Sequence, residues 1–260
     1  MPPGCAGLGL QSAVFRAGFS TGFPLLDVNL LAIETSTEYC SLAVGAADAV
    51  FTRHELAGQR HAETILAAIR GLIADAGLTI EQIAGIAYGA GPGSFTGLRI
   101  ACGVTQGLAM ARGIGVVGIG SLLAVAEQAR AERAICCIDA RMGEVYHAAY
   151  RREPDGAWTE LSPPSVCRPE AAPPLPDAAG SGESAGRWTG CGSGFAAYRE
   201  VLELRYAGQL QALVPDALPT AGAVLRLAGP RFAAGESREP GAAIPVYIRD
   251  RVALKTSERA

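Results

Sequence analysis

The sequence has one lysine, Lys255, and three histidines, His54, His61 and His147. A lone lysine so far from any glycine-rich loop excludes a phosphate-binding loop of the G-x-x-x-x-G-K-S/T kind, which needs an ammonium at the helix start. No two of the histidines stand at i, i+3 or i, i+4, so none makes a metal-ligand pair on one helix face. The seven cysteines, at 5, 40, 102, 136, 137, 167 and 191, include no C-x-x-C pair and are odd in number. Several lie in apolar segments, where a thiol behaves as a small hydrophobe, and a reducing cytoplasm is the expectation. The long charge-free stretches, 83–98 and 113–126, are shorter than a bilayer span and broken by glycine, so no transmembrane helix is expected. Basic and acidic residues number 22 and 25, for a net charge of −3, and no Lys/Arg-rich run occurs. A polyanion would therefore be reached through a local patch or a partner. Residues 1–24 carry one charge, Arg16, and no continuous apolar core, which makes a poor secretory signal. Residues 1–27 are expected to be a disordered extension.

What is present is organised around 83–112, IAGIAYGAGPGSFTGLRIACGVTQGLAMAR. Residues 83–88 are apolar and of strand length, and glycines at 89, 91, 93 and 97 around Pro92 then break the chain into a loop. A helix is predicted over 96–112: Ser94 or Thr96 caps it, and Leu98, Ala101, Cys102, Thr105, Leu108 and Ala109 recur at helical spacing. A glycine-rich loop entering a helix N-terminus is a ready anion site, because free N–H groups and the helix dipole point the same way. The same glycines also serve a plain tight turn, and both readings are open. A dinucleotide-binding turn does not fit, since three residues separate Gly93 from Gly97 and no acid follows before Glu127. Arg99 would sit in the first helical turn, where the dipole opposes a cation. It therefore calls for an anion, either a carboxylate such as Glu34 or Asp139 or a phosphate.

In chain order, 29–36 reads as a buried strand ending in the polar turn Glu34-Thr35-Ser36-Thr37, with returning strands at 39–44 and 49–55. An acid and three hydroxyls can wrap a phosphate or Mg²⁺, or simply meet solvent. Residues 60–76 form an amphipathic helix with Ile65, Leu66, Ile69, Leu72 and Ile73 on one face. Its alanines, like Gly103 and Gly107 in the next helix, either let a second surface pack close or reflect helix propensity alone. A strand at 115–119 and a helix at 121–130 complete a β-β-β-α-β-α-β-α lobe over 28–130 with a mixed sheet. A second, smaller lobe, 131–252, opens the same way. Its strands 134–138 and 144–150 flank a turn bearing Asp139 and Arg141, so an internal duplication facing a cleft is predicted. Six prolines predict an extended or flexible loop at 163–186. A short strand at 187–191, a helix from Phe195, a last helix at 221–228 stopped by Gly229-Pro230, a terminal strand or docking tail at 244–249 and a tail at 253–260 follow.

The blocks LLAIETSTEYCSLAV, HAETIL, IAYGAGPGSFTGLRIACGVTQGLA, VVGIGSLLAVA, IDARMGEVYHAAYRR and PVYIRDRV resemble the TsaB family of bacterial tRNA threonylcarbamoyladenosine biosynthesis proteins. The resemblance spans about 29–252 and is weak over 161–240. It implies an α/β, two-lobed actin/Hsp70-like (ribonuclease H-like) fold with mixed sheets and a reduced second lobe. It also implies a non-catalytic subunit for making N6-threonylcarbamoyladenosine at position 37 of tRNAs that read codons beginning with A. Such a subunit pairs with the catalytic relative TsaD as a heterodimer and works with the ATPase TsaE in a ternary complex. A homodimer is a further assembly, and tRNA is met only through the complex. On this reading the partner face comprises His61, Ile65, Ile69, Leu72, Thr96, Ile100, Gly103, Val104 and Gly107. The cleft is faced by Glu34, Thr35, Ser36, Ser94, Arg99, Asp139 and Arg141. The chain itself holds no metal and no tight cofactor, with ATP, ADP and metal left to the assembled complex. His61 lacks the second histidine that the catalytic relative carries on this helix, and is read as an interface or capping side chain. Glu34 stands where the fold commonly has Asp. Rival readings are a stand-alone ATPase or kinase, a glycoprotease-like metalloenzyme, and a scaffold for other partners.

Overall fold

The computed structural model describes residues 15–18, 28–46, 49–175 and 187–249. The first half runs β1 (Phe15–Gly18), β2 (Asn29–Glu34), β3 (Tyr39–Ala46), β4 (Ala49–Leu56), α1 (His61–Asp75), β5 (Ile83–Gly91), α2 (Phe95–Arg112), β6 (Gly115–Gly120) and α3 (Ser121–Ala129). The second runs β7 (Arg133–Arg141), β8 (Glu144–Arg152), β9 (Trp158–Cys167), β10 (Trp188–Cys191), α4 (Ser193–Ala197), α5 (Arg199–Arg205), β11 (Leu210–Val214) and α6 (Ala221–Ala233).

Strand order is β1-β4-β3-β2-β5-β6 in one sheet and β11-β10-β7-β8-β9 in the other. Without the edge strand β1, the first sheet reads β4-β3-β2-β5-β6 and the second, in the same sense, β9-β8-β7-β10-β11. In both, an antiparallel meander supplies three strands and two parallel strands complete the sheet. The predicted duplication is thus written in the topology.

Central strand β2 is apolar from Leu30 to Ile33 because both of its faces are covered, as the middle of a sheet with helices on each side requires. Leu31 and Ile33 meet Ile65, Ile69 and Leu72 of α1 on one side, while Leu30 and Ala32 meet Val224, Leu225 and Ala228 of α6 on the other. Helix α2 starts where Ser94 Oγ accepts the Gly97 amide and stops at Gly113, whose φ of 63° is left-handed.

The helix after each sheet crosses to the other one, so packing runs across the predicted boundary between 28–130 and 131–252. Leu122, Val125 and Ala126 of α3 pack with Ala134 and Cys136 of β7, whereas α6 returns to cover the first sheet. Each lobe's core is completed by a helix that follows the other lobe's sheet in sequence.

Three further expectations change. Residues 15–18, inside the predicted extension, pair with β4, and the rest of 1–27 lies outside the described residues. The predicted loop at 163–186 is β-strand as far as Cys167, and 176–186 lie outside the described residues. Pro163 and Pro164 are tolerated there because β9 is an edge strand and its register with β8 slips between the pairs His147–Ser165 and Ala149–Ser162. Strand β11 was not expected, and α6 continues through Pro230 to Ala233, past the predicted stop. Of the two alternatives for 244–249, terminal strand or docking tail, the second holds, with the Val246 amide donating to the Ala90 carbonyl at 2.7 Å. The tail at 253–260 lies outside the described residues. Among those described, no helix is long and apolar enough to cross a membrane.

Candidate functional site

The two lobes enclose a cleft of about 920 Å³. Its first wall is the turn after β2 (Ser36, Thr37) and the loop before α2 (Pro92, Ser94), tied together by the Ser94 amide donating to the Ser36 carbonyl at 2.7 Å. The opposite wall is the β7–β8 hairpin, with Asp139, Arg141 and Met142, together with Ser193 at the head of α4. Met142 and Gly143, both at positive φ, form the two-residue reversal between paired Arg141 and Glu144, the backbone sign pattern of a type I′ hairpin. The Asp139 carboxylate accepts from the Arg141 amide at 2.8 Å, from the Arg141 guanidinium at 3.0 Å and from the Tyr198 hydroxyl at 3.4 Å. The Asp139 amide donates to Ser193 Oγ.

Of the seven residues expected to face the cleft, Ser36, Ser94, Asp139 and Arg141 line it. Glu34, Thr35 and Arg99 do not. Glu34 is 1% exposed and turned inward, with its carboxyl occupying the space where a Cβ on Gly89 would lie. Burial pushes this carboxyl up to about 7, against the opposing pull of the Ser36 hydroxyl and amide and the Ser121 hydroxyl. Thr35 is sealed in the same way, its hydroxyl donating to the Gly97 carbonyl at 2.8 Å and its own carbonyl filling the place of a Gly97 Cβ. Gly89 and Gly97 are therefore glycines because the first turn presses onto their backbones. Arg99 meets neither Glu34 nor Asp139. Its guanidinium lies 3.8 Å from the Phe95 ring centroid, and its Nε donates to the Tyr247 hydroxyl at 3.0 Å.

A divalent cation does not fit these donors. The first-lobe carboxyl is walled off from the cleft, and both oxygens of the second-lobe carboxylate are engaged by Arg141. Among the described residues, no three His, Cys, Asp or Glu side chains come together in a metal-holding group.

The predicted partner face divides in two. His61, Ile65, Ile69 and Leu72 are buried in the chain's own interior, because the α1 stripe they belong to is the one that covers the first sheet. The buried Nε2 of His61 has no hydrogen-bond partner among the described residues. Thr96, Gly103 and Gly107 are exposed on α2, with Ile100 and Val104 half-buried beside them. A Cβ added at Gly103 or Gly107 would meet nothing within 4 Å. Two large apolar residues outside the expected set are also exposed on these helices: Leu66 on α1, 54% exposed, and Met110 on α2, 67% exposed.

One buried charge was not anticipated at all. Glu127 of α3 accepts from Arg226 of α6 at 2.7 Å and from the Trp158 indole of β9 at 3.0 Å, with Arg152 of β8 at 3.7 Å. It pins both lobes to the crossing helix. Its partners lie 25 to 99 positions away in sequence, beyond the reach of any spacing rule.

Fold and cleft together define a two-lobed protein of the actin-like, ribonuclease H-like class, with mixed sheets repeated in each lobe. Residues 51–255 match the family described as "TsaD: tRNA N6-adenosine threonylcarbamoyltransferase". The chain is 35% identical over 237 residues to the tRNA threonylcarbamoyladenosine biosynthesis protein TsaB of Escherichia coli, covering 88% of this chain and 97% of that one. It is 34% identical to TsaB of Haemophilus influenzae at the same coverage. The solved structure of YeaZ from Pseudomonas aeruginosa superimposes with a TM-score of 0.72 at 36% identity, over 85% of this chain and 99% of that one. The chain belongs to the TsaB family, within the wider TsaD family.

Proposed function

We propose that this chain is a non-catalytic partner subunit in tRNA threonylcarbamoyladenosine biosynthesis. It binds a catalytic subunit of the TsaD kind through the outer faces of α1 and α2 and holds that subunit in its productive shape, with a TsaE-type ATPase joining the pair. The observation that carries this reading is the outward surface formed by Leu66, Gly103, Gly107 and Met110. Its two glycines allow a second helix to approach closely, and its two long apolar side chains supply area to bury. The family's printed role supports the process, and the chemistry of the cleft supports the absence of catalysis, since its two turn acids are each committed inside the chain. In this proposal ATP, ADP and metal belong to the assembled complex, tRNA is met through that complex, and the setting is the cytoplasm. A second copy of the chain on the same face is the competing assembly.

The test is reconstitution of the modification on unmodified tRNA with TsaD, TsaE and the enzyme that makes threonylcarbamoyl-adenylate, with and without this chain. Modification is expected to fall to background on omission. Equal modification without the chain refutes the proposal.

A further inference from the structure

The cleft has an occupant supplied by the chain itself. After α6 the backbone forms a bridge with β6 at Val116 and Arg238, and residues 242–249 then turn across the mouth of the cleft. The first-lobe side of this strap is held by backbone and side chains together. The Tyr88 hydroxyl donates to the Ala242 carbonyl at 3.3 Å, Gln106 to the Ala243 carbonyl at 3.0 Å, and the Val246 amide to Ala90. Tyr247 packs against Phe95, ring centroids 5.4 Å apart, and accepts from Arg99. Two residues later the strap is on the other lobe. Arg249 donates to Glu144 at 2.5 Å, beside the β7–β8 turn, and lies 5.9 Å from the Tyr146 ring. Val246, Tyr247, Ile248 and Arg249 all line the cleft.

We infer that residues 244–249 are a latch: they bind the first lobe through Val246 and Tyr247 and the second through Arg249, so the two cleft walls cannot part until the Arg249–Glu144 pair breaks. Glu127 and its three partners tie the two lobes at a second point, outside the residues that line the cleft. Parting of the cleft walls about that tie would stretch the Arg249–Glu144 pair. The strap meets strand β5 through the Val246–Ala90 backbone bond and the Tyr88 hydroxyl, and Ile244, Val246 and Tyr247 keep about half of their surface in solvent, so it can leave without disrupting a core.

Hydrogen exchange followed by mass spectrometry on the full chain tests this. Arg249→Ala is expected to speed exchange roughly threefold to tenfold, the scale of one partly buried charge-assisted bond, in 244–249 and also in both walls, 91–94 and 139–143. Exchange in the cores of β2 and β8 should not change. Glu144→Gln breaks the same pair from the opposite side without touching the strap, and should open the same walls. The charge-swapped double variant, Glu144→Arg with Arg249→Glu, should restore protection of both walls. Faster exchange confined to 244–249, or a swapped variant no better protected than the single ones, overturns the latch.

Discussion

Replacing Gly103 by leucine separates docking from folding, because the two effects have opposite signs. Gly103 lies in the middle of α2 on its exposed side, with nothing within 4 Å of a Cβ built there. Glycine costs a helix interior about 0.8 kcal/mol relative to leucine, so the isolated chain should gain roughly that much. For a chain of this size the melting temperature should rise about 2 °C. At a close helix–helix contact the same side chain is an intruder: overpacking of this kind costs about 1–3 kcal/mol, a roughly fivefold to more than hundredfold rise in Kd. Gly103→Ala should give nearly the whole stability gain with a much smaller loss of binding. The assays are thermal melting of the pure chain and calorimetric titration with the TsaD subunit. A Kd within threefold of the unmodified chain's, measured on a leucine variant that melts normally, refutes the placement of the partner on α2. A lower melting temperature would refute the open geometry around Gly103 itself.

Three other perturbations probe the interior. Glu34 is held up to about 7 by burial against an ordinary value of 4.5, so the folded chain keeps a proton that the unfolded chain releases. This stabilisation is complete below pH about 4.5 and is lost as pH rises through about 7. Glu34→Gln, neutral throughout, should melt close to the unmodified chain at pH 5 and be more stable at pH 8, by about 3 kcal/mol at most; an offset that is the same at both pH values refutes the buried acid. Ile69→Ala, at a position 3% exposed and packed with Leu31 and Leu42, should lose about 2–5 kcal/mol in urea denaturation; a loss under about 1 kcal/mol would place Ile69 at the surface after all. Glu127→Ala should cost about 3–5 kcal/mol in the same assay by leaving Arg226 and the Trp158 indole without their acceptor, and Glu127→Gln less; a near-neutral alanine variant would refute that tie between the lobes.

The strand–loop–helix at the centre was legible because its signals are local: an apolar run, four glycines, a serine cap and a helical stripe, all within thirty residues. So was the duplicated hairpin, since each copy carries its own turn residues. What could not be read was decided by sequence-distant packing. The apolar stripe of α1 has the same spacing whether it meets a partner or the chain's own sheet, and only the sheet's position shows that Ile65, Ile69 and Leu72 are interior. Gly89 and Gly97 suited an anion cradle or a plain tight turn, and the turn at 34–36, more than fifty residues earlier, is what fills the space beside them. The prolines of β9 indicated a loop because edge position and register slip are properties of the sheet. Pro230 indicated a stop, yet the helix runs on to bring Phe232 against Gly85 on the first sheet.

The duplication also accounts for how two similar turns came to different ends. Glu34 and Asp139 stand near the ends of equivalent strands, and each accepts the backbone amide two residues on, from Ser36 and Arg141. Beyond that shared bond they diverge through side-chain length and neighbours. The extra methylene of glutamate carries the first carboxyl inward over Gly89, where burial favours its neutral form. Aspartate, shorter, stays at the cleft wall, where it meets the guanidinium of Arg141. A neutralised acid and an ion-paired acid are both poor at gathering a cation or activating a nucleophile across the cleft, although the walls that hold them stay well formed. A two-lobed body whose turn acids are both committed inside the chain, while Leu66, Gly103, Gly107 and Met110 stay exposed outside, suits the proposed role of presenting a surface. That is the physical content of the proposal that this chain shapes a partner instead of carrying out the chemistry.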